Sequence, residues 1–126
     1  MPPVPPVPPV PPEVDAFMAE LKVATEGLLY PSETDAEIVP VAVVPPYPWD
    51  IEGPVESVDV GAFFRQLRGH PDAASFHALY TVMSGNLTDL RVDRVGEIRV
   101  AVFVTGVWRG GEFVGRIGVR TESVET

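Results

Sequence analysis

Acidic and hydroxyl side chains are grouped at two places in this chain where they could bind a cation. Residues 30–37 read YPSETDAE and include Glu33, Thr34 and Asp35, while the last two residues are Glu125 and Thr126. The Thr126 hydroxyl and terminal carboxylate are expected to project from the end of a strand. Such groups suit a metal ion, an arginine side chain or a helix N-terminus. Solvated acids of an ordinary loop and strand end are the simpler interpretation, which the residues alone leave open.

Catalytic patterns are scarce. His70 and His77 lie seven positions apart without a ligand spacing, and the chain has no cysteine. Ser84 lacks the glycine-flanked turn of a serine hydrolase, and no glycine cluster precedes a helix as a phosphate loop would. We therefore predict a protein that is not an enzyme, with no catalytic residue, no cofactor and no metal site of its own. A small enzyme that uses His70 or His77 with a carboxylate is the alternative.

The net charge of −9 is concentrated in one part of the chain. Residues 13–59 contain eleven acids and the single base Lys22, whereas six arginines oppose five acids from Arg91 onward. An acidic surface repels nucleic acid, so the favoured partner is a basic protein. Ordinary solubility charge is the alternative explanation.

Hydrophobic periodicity predicts the elements that position these groups. A helix is expected at 13–29, followed by the acidic loop at 30–37. Asp59 is a candidate N-cap for a short helix, and Pro71 is expected to open a longer helix that reaches 87. Strands are expected at 38–44, where Pro40 favours a sheet edge or an irregular start, and at 55–58, 90–95, 97–107 and 112–121, with a turn at 109–111 between the last two. The fold class predicted is α/β (α+β), a three-layer α/β/α sandwich with helices on both faces of a mixed, largely antiparallel sheet.

Residues 2–12 repeat Pro-Pro-Val, which favours an extended polyproline II conformation. We predict a tail at 1–12 and one domain at 13–126. The chain has neither a signal-peptide pattern nor an apolar run that could span a bilayer, so a cytoplasmic protein without membrane contact is expected.

Several segments together resemble the nuclease A inhibitor family, small bacterial proteins that block a sugar-non-specific DNA/RNA endonuclease. The resemblance covers roughly Leu21 to Thr126. Its carriers are Leu21-Lys22 through Gly27-Leu28-Leu29-Tyr30 with Ser32-Glu33, Val58-Asp59-Val60 with Phe63-Phe64, Phe76 through Asn86-Leu87, Arg94-Val95-Gly96-Glu97, and Val124-Glu125-Thr126.

The resemblance implies an α/β/α sandwich related to plant pathogenesis-related proteins, and a monomer that binds a basic, metal-dependent nuclease in a 1:1 complex. It also implies that Glu33 and Thr126 approach the metal ion in the active site of that nuclease. Glu125, Thr34 and Asp35 are the neighbouring residues expected to contact the partner.

One segment departs from the family pattern. The family has a longer segment with an aromatic contact residue before the long helix, whereas this chain has only residues 68–73 and no tryptophan there. The alternative function is therefore a non-catalytic binding module of the same fold with a different basic partner.

Overall fold

The computed structural model describes residues 12–30, 36–45, 47, 49, 55–109, 113 and 115–124. Within them, the helices with defined bounds are α1 (Pro12–Thr25), α2 (Val60–Arg65) and α3 (Ala73–Asn86). The strands are β1 (Leu29–Tyr30), β2 (Ala36–Glu37), β3 (Val39–Val43), β4 (Val55–Val58), β5 (Leu87–Val95), β6 (Arg99–Trp108) and β7 (Arg116–Val124). The predicted mixed α/β class is confirmed.

Five strands form the main sheet in the order β3-β7-β6-β5-β4, and β1 and β2 form a separate two-stranded hairpin. β3 occupies an edge, as Pro40 predicted, because a proline removes one backbone donor where no further strand needs it. β4, predicted at its observed bounds, forms the other edge.

Every described pair of strands is antiparallel, so the parallel pair expected of a mixed sheet is not found among the described strands. β4 and β5 show why. Two helices, α2 and α3, connect them, and the chain returns toward the end of the sheet that it left. A single-helix crossover would have produced a parallel pair.

α1, α2 and α3 pack together on one face of the sheet. They cover the alternating side chains Val100, Val102 and Val104 of β6. On the opposite face Phe103 packs against Trp49, itself a helical residue. β6 therefore has apolar side chains packed on both of its faces.

The ends of several helices and strands differ from those predicted from the sequence. α1 ends at Thr25, four residues before the predicted end, because Leu29 joins β1. α3 begins at Ala73 rather than at Pro71. Ile98 is exposed in the connection before β6. The turn predicted at 109–111 falls outside the described residues except for Arg109.

The tail predicted for 1–12 also lies outside the described residues, apart from Pro12. That residue is the first of α1, a position at which proline suits a helix because its missing N–H would have no intrahelical partner. No helix in the described part of the chain is long and apolar enough to cross a membrane.

Candidate functional site

The end of α1 determines where the acidic loop starts. Thr25 is buried, and its hydroxyl donates to the Leu21 carbonyl oxygen at 2.9 Å. Gly27 then adopts a φ of +73°, the left-handed conformation that commonly ends a helix. The Leu28 amide donates to the Thr25 carbonyl oxygen at 3.0 Å, and the Leu28 side chain is buried. The chain thus leaves the helix at a fixed point and enters β1.

A short hairpin brackets the acidic loop. Leu29 pairs with Glu37 and Tyr30 pairs with Ala36, so both ends of the segment 31–35 are held by strand pairing. The Tyr30 ring stacks on Phe63 of α2 with centroids 5.7 Å apart and planes 10° from parallel. Burial raises the pKa of the Tyr30 phenol above its ordinary value of 10.0, and the nearby Arg94 charge offsets this only in part. The base of the hairpin is therefore attached to the core.

The same hairpin contacts the last strand. The buried Thr121 hydroxyl donates to the Glu37 carbonyl oxygen at 2.9 Å and lies 3.4 Å from the carbonyl oxygen of Ala36. These contacts join residues 84 and 85 positions apart. The acidic loop and the C-terminal strand are therefore neighbours at their described ends.

The register of β3 on β7 leads to the same place. Val43 lies opposite Arg116 and Val39 opposite Arg120, so moving toward the loop along β3 means moving toward the C-terminus along β7. On its other side β7 pairs with β6 as far as Val124 opposite Arg99. The N-terminal end of β3 and the C-terminal end of β7 therefore lie toward the same end of the sheet.

The five predicted contact residues lie outside the described residues. They are Glu33, Thr34, Asp35, Glu125 and Thr126. Their flanking residues Tyr30, Ala36 and Val124 are described.

Sequence reasoning missed Tyr30 and Thr121 as the residues that join these segments. Tyr30 was assigned to a loop because a two-residue strand has no periodicity of its own. A tyrosine three residues after the helix-ending Gly27 was the available signal, since a large amphipathic ring there favours packing over solvation.

The two histidines occupy ordinary positions. His70 lies in the turn before α3, where its Nδ1 accepts a hydrogen bond from the Asp72 amide at 3.1 Å and its ring packs edge-on against Phe76. His77 is exposed on α3. The part of the chain that the structure describes contains no group of three or more His, Asp or Glu side chains that could hold a metal ion.

The described strands of the hairpin lead through Ile38 into the edge strand β3 and contact the last strand through Thr121. A family model described as nuclease A inhibitor-like protein matches residues 15–126. The chain belongs to this nuclease A inhibitor-like family, and the family identified from the sequence is confirmed. Membership supports a role as a nuclease inhibitor in general, a protein nuclease as partner and a non-catalytic function. No curated protein matches the chain.

Proposed function

We propose that this protein inhibits a sugar-non-specific, metal-dependent DNA/RNA endonuclease by blocking its active site. Glu33 and the Thr126 terminus approach the metal ion of the nuclease, and Thr34, Asp35 and Glu125 contact the basic groove around it. A carboxylate and a hydroxyl at that ion take the place of the scissile phosphate and offer no bond to cleave. A basic groove shaped for phosphate favours acidic groups in this position.

The observation that carries this proposal is the contact between Thr121 and the hairpin carbonyl oxygens. Chain length limits how far apart the two acidic groups can be, since an extended residue spans at most about 3.6 Å. Glu33 is three residues from Ala36, and Thr126 is five residues from Thr121.

Supporting charge lies along the same part of the chain. Glu20 of α1, Glu26 in the turn that follows α1, and Glu37 of β2 are exposed, so acids lie on the surface beside the loop in the described residues. This supports a basic partner. A monomer in a 1:1 complex, acting in the cytoplasm without nucleic acid or membrane contact, is part of the proposal.

A titration of nuclease activity tests the mechanism. We expect the chain ending at Thr126 to inhibit a purified metal-dependent, sugar-non-specific endonuclease stoichiometrically. Glu33→Gln, and separately two glycines added after Thr126, should each raise the inhibition constant about 30-fold or more. Breaking one partner of a buried charged contact costs at least about 2 kcal/mol, and every 1.4 kcal/mol is tenfold in affinity.

Glu56→Gln is the matched control, because it removes the same charge from the exposed surface of β4 at the opposite edge of the sheet. Inhibition that is unchanged in both test variants would contradict the mechanism while leaving the inhibitor function intact. No inhibition by the unmodified chain would contradict the function for this class of nuclease.

The shortened segment before α3 favours a second candidate, a binding module of the same fold for a different basic protein. α2 ends at Arg65 and α3 begins at Ala73, and the intervening residues form turns without a tryptophan. Stoichiometric recovery of a non-nuclease protein on the immobilised chain, with no nuclease activity in the bound fraction, would support this candidate.

A further inference from the structure

The acidic loop and chain terminus are too small to account for a whole protein–protein interface. A stable interface generally uses about 20–30 residues on each side, with a largely apolar centre and a polar rim. The proposed contact set has five residues, all polar or charged. A nuclease inhibitor of this kind therefore needs an apolar contact surface close to the loop, and the question is where the fold provides one.

A groove of about 540 Å³ lies beside the hairpin, between the end of α1 and the beginning of β3. Six large hydrophobic side chains are exposed in the described residues, and three of them line this groove. These three are Val23, Leu29 and Val39, with exposed fractions of 72%, 40% and 42%. Clustering of exposed apolar side chains at one concave place is typical of an interaction site rather than of a random surface.

The position of the groove connects it to the acidic loop. Leu29 and Glu37 line it and pair with each other across the hairpin, so the groove begins two residues from either end of the segment 31–35. Val39 follows at the start of the edge strand β3, whose outer edge has no neighbour among the described strands. A partner bound at the loop would therefore extend over the groove.

The charges around the groove fit a basic partner. Glu26, Glu37 and Lys22 line it and are exposed, so acids outnumber bases two to one, and Lys22 is the single base of the acidic part of the chain. Carboxylates around an apolar centre match a protein that presents an apolar side chain among lysines and arginines. A second copy of this acidic chain would instead bring carboxylates against carboxylates.

We propose that this groove is the apolar contact of the inhibitor and that it receives a hydrophobic side chain of the nuclease, from the basic surface that borders the nuclease active site. This inference rests on the proposed function. It assigns to Val23, Leu29 and Val39 the affinity that an aromatic residue before α3 would otherwise supply, since a few buried apolar residues generally dominate an interface.

Two substitutions and one matched control test the groove. Val23 lies on an exposed helix surface, and valine and serine have similar helix propensities, so Val23→Ser should leave α1 intact. Val39→Ser removes the second wall of the groove. Val44→Ser is the control, because Val44 is 37% exposed just beyond the opposite end of β3. Thermal unfolding of each variant establishes that the fold is retained.

The inhibition constant against the endonuclease that the unmodified chain inhibits is the first readout. We expect Val23→Ser and Val39→Ser each to weaken inhibition about tenfold or more, and Val44→Ser to change it less than about twofold. Amide hydrogen exchange of the complex is the second readout, and it should slow at Leu29 and Val39.

The outcomes separate the two proposals. Inhibition by the unmodified chain with no loss in either groove variant, and no slowing of exchange at Leu29 and Val39, would overturn the inference and leave the proposed function standing. Concentration-dependent dimerisation of the free chain that Val23→Ser abolishes would overturn it in favour of a second copy as the occupant. No inhibition by the unmodified chain would overturn the function and this inference together.

Discussion

At the residue scale, Tyr30 connects the candidate site to the interior of the protein. Its ring lies on Phe63, its backbone belongs to β1, and the acidic segment begins one residue later. Burial makes the charged phenolate unfavourable and raises the pKa of the phenol, while Arg94 acts in the opposite direction and more weakly. The base of the loop therefore includes a side chain whose neutral form the fold favours.

This predicts a loss of stability at alkaline pH that depends on Tyr30. A phenol whose pKa is raised in the folded state contributes its full stabilisation below the unfolded pKa of about 10 and loses it as the pH rises toward the higher folded pKa. The free energy of unfolding should therefore fall more steeply above pH 10 in the natural chain than in Tyr30→Phe. Denaturant unfolding at several pH values from 8 to 11 measures the difference, and parallel curves for the two proteins would refute it.

At the element scale, the hydrophobic periodicity of the sequence predicted which helices and strands form, whereas tertiary contacts determined the residues at which they begin and end. The periodicity of Val14, Phe17 and Leu21 predicted α1, and these residues are buried in the structure. The hairpin of β1 and β2 was not predicted. Two-residue strands have no measurable pattern, and these two form beside Thr121, a residue far away in sequence. The sequence could not supply this contact, because it depends on the register of β3 on β7.

The groove was missed for a different reason. Val23 falls on the polar face of the predicted helix, where an apolar side chain has no partner within the helix. That mismatch was the available signal. Its meaning required the positions of Leu29 and Val39, which only the fold brings next to the end of α1.

The start of α2 was predicted correctly from the local sequence alone. Asp59 was predicted as its N-cap, and the Asp59 carboxylate accepts a hydrogen bond from the Ala62 amide at 2.9 Å. Such a cap satisfies one of the backbone donors left free at a helix start. A helix of only six residues depends strongly on this bond, and α2 carries the Phe63 ring that supports Tyr30.

Asp59→Ala should therefore lower the free energy of unfolding by about 1 kcal/mol, the usual cost of losing such a cap. Asp59→Asn is the control, because it keeps an oxygen acceptor and should retain most of the stability. Urea unfolding monitored by circular dichroism measures both. An alanine variant as stable as the natural chain would show that packing of Phe63 alone holds α2 in place.

At the scale of the whole molecule, the acidic and the balanced parts of the chain occupy different parts of the fold. α1, β2 and β4 carry five acids among the described residues, whereas the described arginines lie mainly in β5, β6 and β7. Several of these arginines are engaged inside the molecule. Arg91 pairs with the buried Asp93 at 3.0 Å, and the buried Arg116 pairs with Asp89 at 3.1 Å. The acids therefore dominate the outward field near the candidate site.

That field should act mainly on the rate at which the inhibitor meets its basic partner, because complementary charge accelerates encounter more than it changes the lifetime of the complex. We expect the association rate constant to fall at least about tenfold between 50 mM and 500 mM salt, with a much smaller change in the dissociation rate. Stopped-flow mixing with the nuclease measures both rates. The exposed residues Glu20 and Arg68 provide variants of opposite sign, since Glu20→Gln should slow association and Arg68→Gln should accelerate it. Association rates that do not depend on salt or on the sign of the substitution would mean that contacts within the interface, rather than the acidic half of the molecule, select the partner.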